Sequence, residues 1–216
     1  MNRPPSSREA LSLFHHRFAP GDPTISNLAL LLLHGTGGDE DDLLPLGPYL
    51  APGAAILSPR GRVLENGAPR FFRRIAEGVF DEEDLRRRTE ELAQFVGAAR
   101  EEYALQDRHM VAVGFSNGAN IAGSLLLLQP DALDGAILFR AMVPFVPDNP
   151  PPLAGKPIYL GAGRADPIVH TTETERWAAM LRAAGAEITL HWSEMGHALS
   201  QEDVDSAREW LRSRFR

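Results

Sequence analysis

The stretch Gly114-Phe115-Ser116-Asn117-Gly118 sets a small hydroxyl between two glycines, where an apolar run ends and a helix-like pattern begins. A serine on such a sharp strand-to-helix turn projects its hydroxyl away from the backbone, and the flanking glycines allow the close packing this turn needs. The helix that follows aims its first amides at any negative charge forming there. The chemistry this suits is acyl transfer with Ser116 as nucleophile. A serine that only caps the helix N-terminus is the competing reading.

A serine hydroxyl attacks only when a base takes its proton, and the base needs an orienting carboxylate. In a strand–serine–helix context the chain order is Ser, then acid, then His. Four of the seven histidines precede Ser116, and His191 falls inside an expected strand. His170 and His197 remain. His197 lies in "SEMGHAL", after the last expected strand and before the last helix, so it can reach the strand ends; it is the expected base. Asp166, in "GAGRADPIV", is the expected acid because Pro167 keeps it out of the following helix; Asp148 is the alternative. The "GAGRAD" segment lacks the final glycine or alanine of a dinucleotide fingerprint.

A tetrahedral oxyanion needs two backbone donors aimed at one point. The glycine-rich turn in "LLLLHGTGGDEDD" offers the amide of Thr36, and the residue after the serine offers that of Asn117. The acidic run after this turn reads as a solvated helix start, not a metal site. No cofactor or metal is called for by this chemistry. Residues expected to wall a substrate pocket are Phe71, Phe72 and Arg73, from the loop after the second expected core strand, with Met142 and Met195 from later loops. Core packing is the competing role for the two phenylalanines. An arginine of this loop could meet a substrate carboxylate or only a surface acid.

These residues must be positioned by a scaffold, and the chain predicts one. Short apolar runs alternate with longer amphipathic stretches, the pattern of strands buried on both faces by crossover helices. Strands are expected near Leu28–Leu33, Ala54–Ser58, Met110–Phe115, Ala136–Phe139, Ile158–Gly161 and Ile188–Trp192, with an edge strand around Leu13–Phe18. Helices are expected over Asp39–Leu50, Asp81–Tyr103, Asn117–Leu128, Thr171–Ala184 and Gln201–Phe215. The fold class is α/β, a mostly parallel sheet in one domain spanning residues 1–216.

At 216 residues the chain can bury a full core, and its net charge of −7 argues against a nucleic-acid or anionic-membrane surface. The expected partner is a small molecule. With no cysteine the chain has no thiolate nucleophile, disulfide or thiolate metal ligand. No apolar run is long enough to span a bilayer and the N-terminus has no signal-peptide core, so a cytoplasmic location is the expectation. A homodimer is compatible with the sequence but not required by it.

The segments "GAPRFFRRIAEGVFDEEDL", "GFSNGANIA", "AMVP", "AGRADPIV" and "GHAL", with the ordered serine, aspartate and histidine, resemble the α/β-hydrolase superfamily. Within it they resemble the small carboxylesterase/phospholipase group that includes acyl-protein thioesterases and dienelactone-hydrolase-like enzymes. The nearest likeness is to bacterial hydrolases associated with hydroquinone catabolism and quinone resistance. The resemblance implies Ser116, Asp166 and His197 as the triad, Thr36 and Asn117 as oxyanion donors, and no large cap domain. It departs in two places: dienelactone hydrolases proper use a cysteine nucleophile, and acyl-protein thioesterases usually carry Gln-Gly-Gly after the serine where this chain has Asn117-Gly118-Ala119. The activity implied is hydrolysis of small carboxylic esters. The alternatives are a lactone or ring-cleavage-product hydrolase, or a non-catalytic ligand-binding relative.

Overall fold

Alternate residues of one strand face opposite layers, and the strand Leu28–Leu33 shows how this builds the molecule. The structure, a computed structural model, describes residues 6–215. A short helix α1 (Ser7–Ser12) and an edge strand β1 (His16–Ala19) precede β2 (Leu28–Leu33), all six residues of which are buried. Helix α2 (Leu46–Leu50) and strand β3 (Ala55–Pro59) follow. Two hairpins come next, β4 (Val63–Glu65) with β5 (Ala68–Arg70) and β6 (Arg74–Ala76) with β7 (Val79–Phe80). The remaining order is α3 (Glu82–Glu102), β8 (His109–Phe115), α4 (Asn117–Leu128), β9 (Gly135–Phe139), β10 (Pro157–Gly163), α5 (Thr171–Ala183), β11 (Glu187–Ser193) and α6 (Gln201–Arg214).

Seven strands form one sheet in the order β1-β3-β2-β8-β9-β10-β11, parallel throughout except for the antiparallel edge strand β1. Ala29, Leu31 and Leu33 pack with Leu92 and Phe95 of α3, Leu125 of α4 and Trp177 of α5. Leu28, Leu30 and Leu32 pack on the other face with Leu50 of α2 and Trp210 and Leu211 of α6. Each such leucine contributes roughly 1.5–3 kcal/mol, so a strand buried on both faces anchors the sheet centre.

The chain leaves β2 toward β3 on one side and returns to β8 on the other. Between β2 and β8 the order reverses, and the carboxyl ends of strands at such a reversal are where α/β sheets hold ligands. The loops after these two strands carry Thr36 and Ser116.

Two expectations change. The helix expected over Asp39–Leu50 forms only at Leu46–Leu50, with turns before it. Pro45 and Pro48 have no amide hydrogen to donate, so a longer helix would lose ladder bonds. The two hairpins over residues 63–80 and helix α1 were not anticipated, because strands of two or three residues and a helix of six are too short to show a period. Among the described residues no helix is long and apolar enough to cross a membrane.

Candidate active site

Ser116 stands between β8 and α4 with φ 52° and ψ −113°, a conformation that a side-chain-bearing residue adopts only under constraint. The constraint is steric and local. A Cβ on Gly118 would lie 2.0 Å from the carbonyl oxygen of Leu33, and one on Gly114 would lie 2.6 Å from the Cα of Ala119. Only glycine at both positions lets helix α4 start this close to β2 and β8. The Ser116 amide donates to the Phe139 carbonyl at 2.9 Å, tying the turn to the end of β9.

The serine side chain makes no capping bond to its own helix. Its Oγ lies 2.9 Å from Nε2 of His197, and Nδ1 of the same ring lies 2.8 Å from Oδ2 of Asp166. The Asp166 side chain is fully buried, and its Oδ1 accepts from the amides of Ile168 and Val169 at 2.8 and 3.0 Å. Those two bonds follow from Pro167, which bends the chain back over the carboxylate. The alternatives do not join this group: Asp148 is exposed, and His170 is exposed at the N-cap of α5.

Thr36 and Asn117 meet the same space from the ends of β2 and β8, both lining a cavity with Ser116 and His197. Among the described residues neither amide donates to a backbone or side-chain acceptor. The cavity, of about 320 Å³, has apolar walls from Phe80, Phe115, Met142, Ile168 and Val169. Arg70, Arg74, Glu77, Asn120 and Arg140 add polar and charged groups to its lining.

Of the expected pocket walls, only Met142 lines this cavity. Phe71 and Phe72 are 1% and 0% exposed and pack in the core against α3 and α4. The Asn117 Oδ1 accepts the Phe71 amide at 2.7 Å, and this bond helps turn both rings inward. Arg73 points outward, where its guanidinium pairs with Asp81 at 2.8 Å and lies 3.8 Å from Asp84. Met195 is 42% exposed and lies outside the cavity. The aromatic walls are instead Phe115, beside the serine, and Phe80, on a hairpin that no periodicity announced.

The phospholipase/carboxylesterase family model matches residues 24–214. The chain belongs to that family. The hydrolase MhqD of Bacillus subtilis (strain 168) is 49% identical over 187 residues, 87% of this chain and 94% of that one. A carboxylesterase of Bacillus cereus has a TM-score of 0.92 at 46% identity, covering 98% of this chain and 100% of that one. YahD, solved with malic acid, has a TM-score of 0.86 at 32% identity, covering 93% of this chain and 98% of that one. The fold is therefore that of an α/β-hydrolase, and this member of the phospholipase/carboxylesterase family is a carboxylic-ester hydrolase.

Three residues that support the site of this family member were not singled out from the sequence. His34 is buried beside Thr36; its Nδ1 donates to the Gly35 carbonyl at 2.6 Å and its Nε2 accepts the Gly61 amide at 2.9 Å. Burial holds its imidazole below the ordinary histidine value, with the Gly35 bond opposing. Asn120, one helical turn after Ser116, accepts the Met142 amide at 2.8 Å and so fixes that wall. Arg140, fully buried after β9 with φ 55°, donates to the carbonyls of Gly196 at 3.0 Å and Ala198 at 2.9 Å. An arginine set directly after the apolar run Ala136–Phe139 was the one available signal.

Proposed function

We propose that the protein hydrolyses small carboxylic esters through an acyl-enzyme on Ser116. The observation that carries the reading is the continuous chain from Ser116 Oγ to His197 Nε2 and from His197 Nδ1 to Asp166 Oδ2. Asp166 accepts at Nδ1 and leaves Nε2 as the basic atom. As Oγ bonds to the ester carbonyl carbon, its proton passes to Nε2 and the carbonyl electron pair moves to oxygen. The amides of Thr36 and Asn117 donate to that oxygen, and α4 adds its N-terminal dipole. Collapse breaks the ester C–O bond, and the departing alcohol takes the proton from His197. A water then repeats the sequence on the acyl-enzyme, releasing the acid and restoring Ser116.

The cavity supports short acyl groups. Each methylene gains about 0.8 kcal/mol only while it finds apolar surface to cover, and the walls at Phe80 and Met142 set that limit early. Malic acid, the ligand of YahD, is of a size that suits such a space.

The test is a p-nitrophenyl ester series from acetyl to palmitoyl, with fluorophosphonate labelling of the wild type. Turnover that peaks at acetyl to butyryl, with one labelled site at Ser116, is expected. Absence of turnover and labelling would sink the serine mechanism, and a palmitoyl optimum below micelle-forming concentrations would sink the short-acyl reading.

A further inference from the structure

Two buried side chains that line the cavity carry donors: Asn117 has one with no partner, and Arg70 shares its nearest carboxylate with a second arginine. Arg70, at the end of β5, is 3% exposed. Its Nη1 donates to Thr36 Oγ1 at 2.7 Å and its Nε to the Phe72 carbonyl at 3.2 Å, while its nearest carboxylate oxygen, Glu65 Oε2, lies 3.2 Å from Nε. That carboxylate is shared. Glu65 also receives Nε and Nη2 of Arg74, at 2.9 and 2.7 Å. Burial pulls the Arg70 guanidinium below the ordinary arginine value, with Glu65 opposing and Arg74 adding to the effect. One acid thus serves two cations, one of them buried.

The second donor belongs to Asn117. It is 2% exposed, its Oδ1 is used by the Phe71 amide, and its Nδ2 is buried with no hydrogen-bond partner among the described residues. A buried unpartnered amide donor is destabilising and calls for an explanation. Asn117 and Arg70 line the same cavity as Ser116 and His197. Arg140, which lines it too, is matched by Asp203. The one carboxylate among the lining residues, Glu77, is exposed, where solvent screens it.

We infer that the preferred substrates are esters carrying a carboxylate within a few carbons of the scissile carbonyl, such as half-esters of short dicarboxylic acids, with Arg70 as the specificity-determining residue that binds the carboxylate. The carboxylate brings acceptor oxygens to a guanidinium beside the Thr36 loop. This rests on the ester-hydrolase reading of the same site.

The experiment compares monomethyl glutarate with methyl pentanoate, which share a chain length and differ in the terminal carboxylate, by acid release on the wild-type protein and on Arg70→Gln. Wild type should favour the half-ester in kcat/KM by at least about tenfold, the effect of one charge-assisted hydrogen bond. In Arg70→Gln the ratio between the two esters should fall to about one. Equal wild-type rates, or an Arg70→Gln ratio unchanged from wild type, would overturn the inference while leaving ester hydrolysis intact. No hydrolysis of either ester, or of p-nitrophenyl butyrate, would instead overturn the underlying reading and the inference with it. The wild-type comparison needs no variant, and Arg70→Lys, which should keep a preference for the half-ester, tests the charge if the glutamine variant does not fold.

Discussion

Arg140 and Asp203 meet at 2.8 Å with both side chains fully buried, and the arginine reaches past the aspartate to grip the residues on either side of His197. Asp203 in turn caps α6 through Ser200. Burial alone would raise the Asp203 carboxyl, but hydrogen bonds from Arg140 and Ser200 hold it below the ordinary aspartate value. The loop that carries the imidazole is therefore pinned from beneath by a paired charge.

Breaking that pin should be costly. Arg140→Ala leaves Asp203 buried without its partner and should lower stability by about 3–5 kcal/mol, read by denaturant unfolding. Arg140→Lys keeps a charge but cannot serve both carbonyls and the carboxylate at once. It should lower kcat by about tenfold or more with little change in KM, because the imidazole is displaced while the cavity remains. An unchanged kcat in the lysine variant would remove Arg140 from any part in positioning His197.

Ser116→Ala should cut turnover by at least ~10³-fold and abolish fluorophosphonate labelling, with the melting temperature maintained or raised because a strained turn loses only a hydroxyl. Asp166→Asn should favour the wrong imidazole tautomer and lower kcat by about 10⁴-fold. His170→Ala and Asp148→Asn, both at exposed positions, should leave kcat within about twofold of wild type. Steady-state kinetics on p-nitrophenyl butyrate separates these outcomes, and an Asp148→Asn loss larger than that of Asp166→Asn would reassign the acid.

Phe72 separates core from pocket. Its ring is fully buried and meets Phe80 edge-on at a centroid distance of 5.1 Å. Phe72→Ala should destabilise the protein by about 3–5 kcal/mol. Phe80→Ala should shift the acyl-length optimum upward, because Phe80 forms the cavity wall. An acyl optimum that moves more in Phe72→Ala than in Phe80→Ala would reverse the two assignments.

His34 should make stability fall in mild acid. Its folded pKa lies below the reference value of 6.5, so the unfolded chain binds the proton more readily. The stabilising contribution is complete above about pH 6.5 and is lost as pH drops below it, since a proton on Nε2 ends acceptance from Gly61. The melting-temperature drop between about pH 7.5 and about pH 5.5 should be smaller in His34→Gln than in wild type. An identical drop in both would place the acid sensitivity elsewhere. Asp203 acts in a lower window: its folded pKa is depressed, so its contribution is present above about 3.8 and lost below.

What the amino-acid sequence determined by itself was whatever rests on short stretches of chain. Five of the six apolar runs lie in strands buried on both faces by crossover helices and the sixth in the half-buried edge strand β11, so they could be read from composition and alternation alone. The turn at Ser116 was legible because its requirement is local: two glycines within two residues of the serine, each against backbone. The order of Ser116, Asp166 and His197 along the chain follows from which strand ends lie together in this sheet. Tertiary structure alone decided the cavity walls. Whether Phe71 and Phe72 faced substrate or core depended on Asn117, 46 residues after Phe71, taking the Phe71 amide, and no pattern within the loop encodes that bond. Arg140 and Asp203 stand 63 residues apart in sequence, and a buried ion pair has no periodicity to betray it. Side-chain direction in an irregular segment is chosen by the partners that close over it, and those partners exist only once the sheet has assembled.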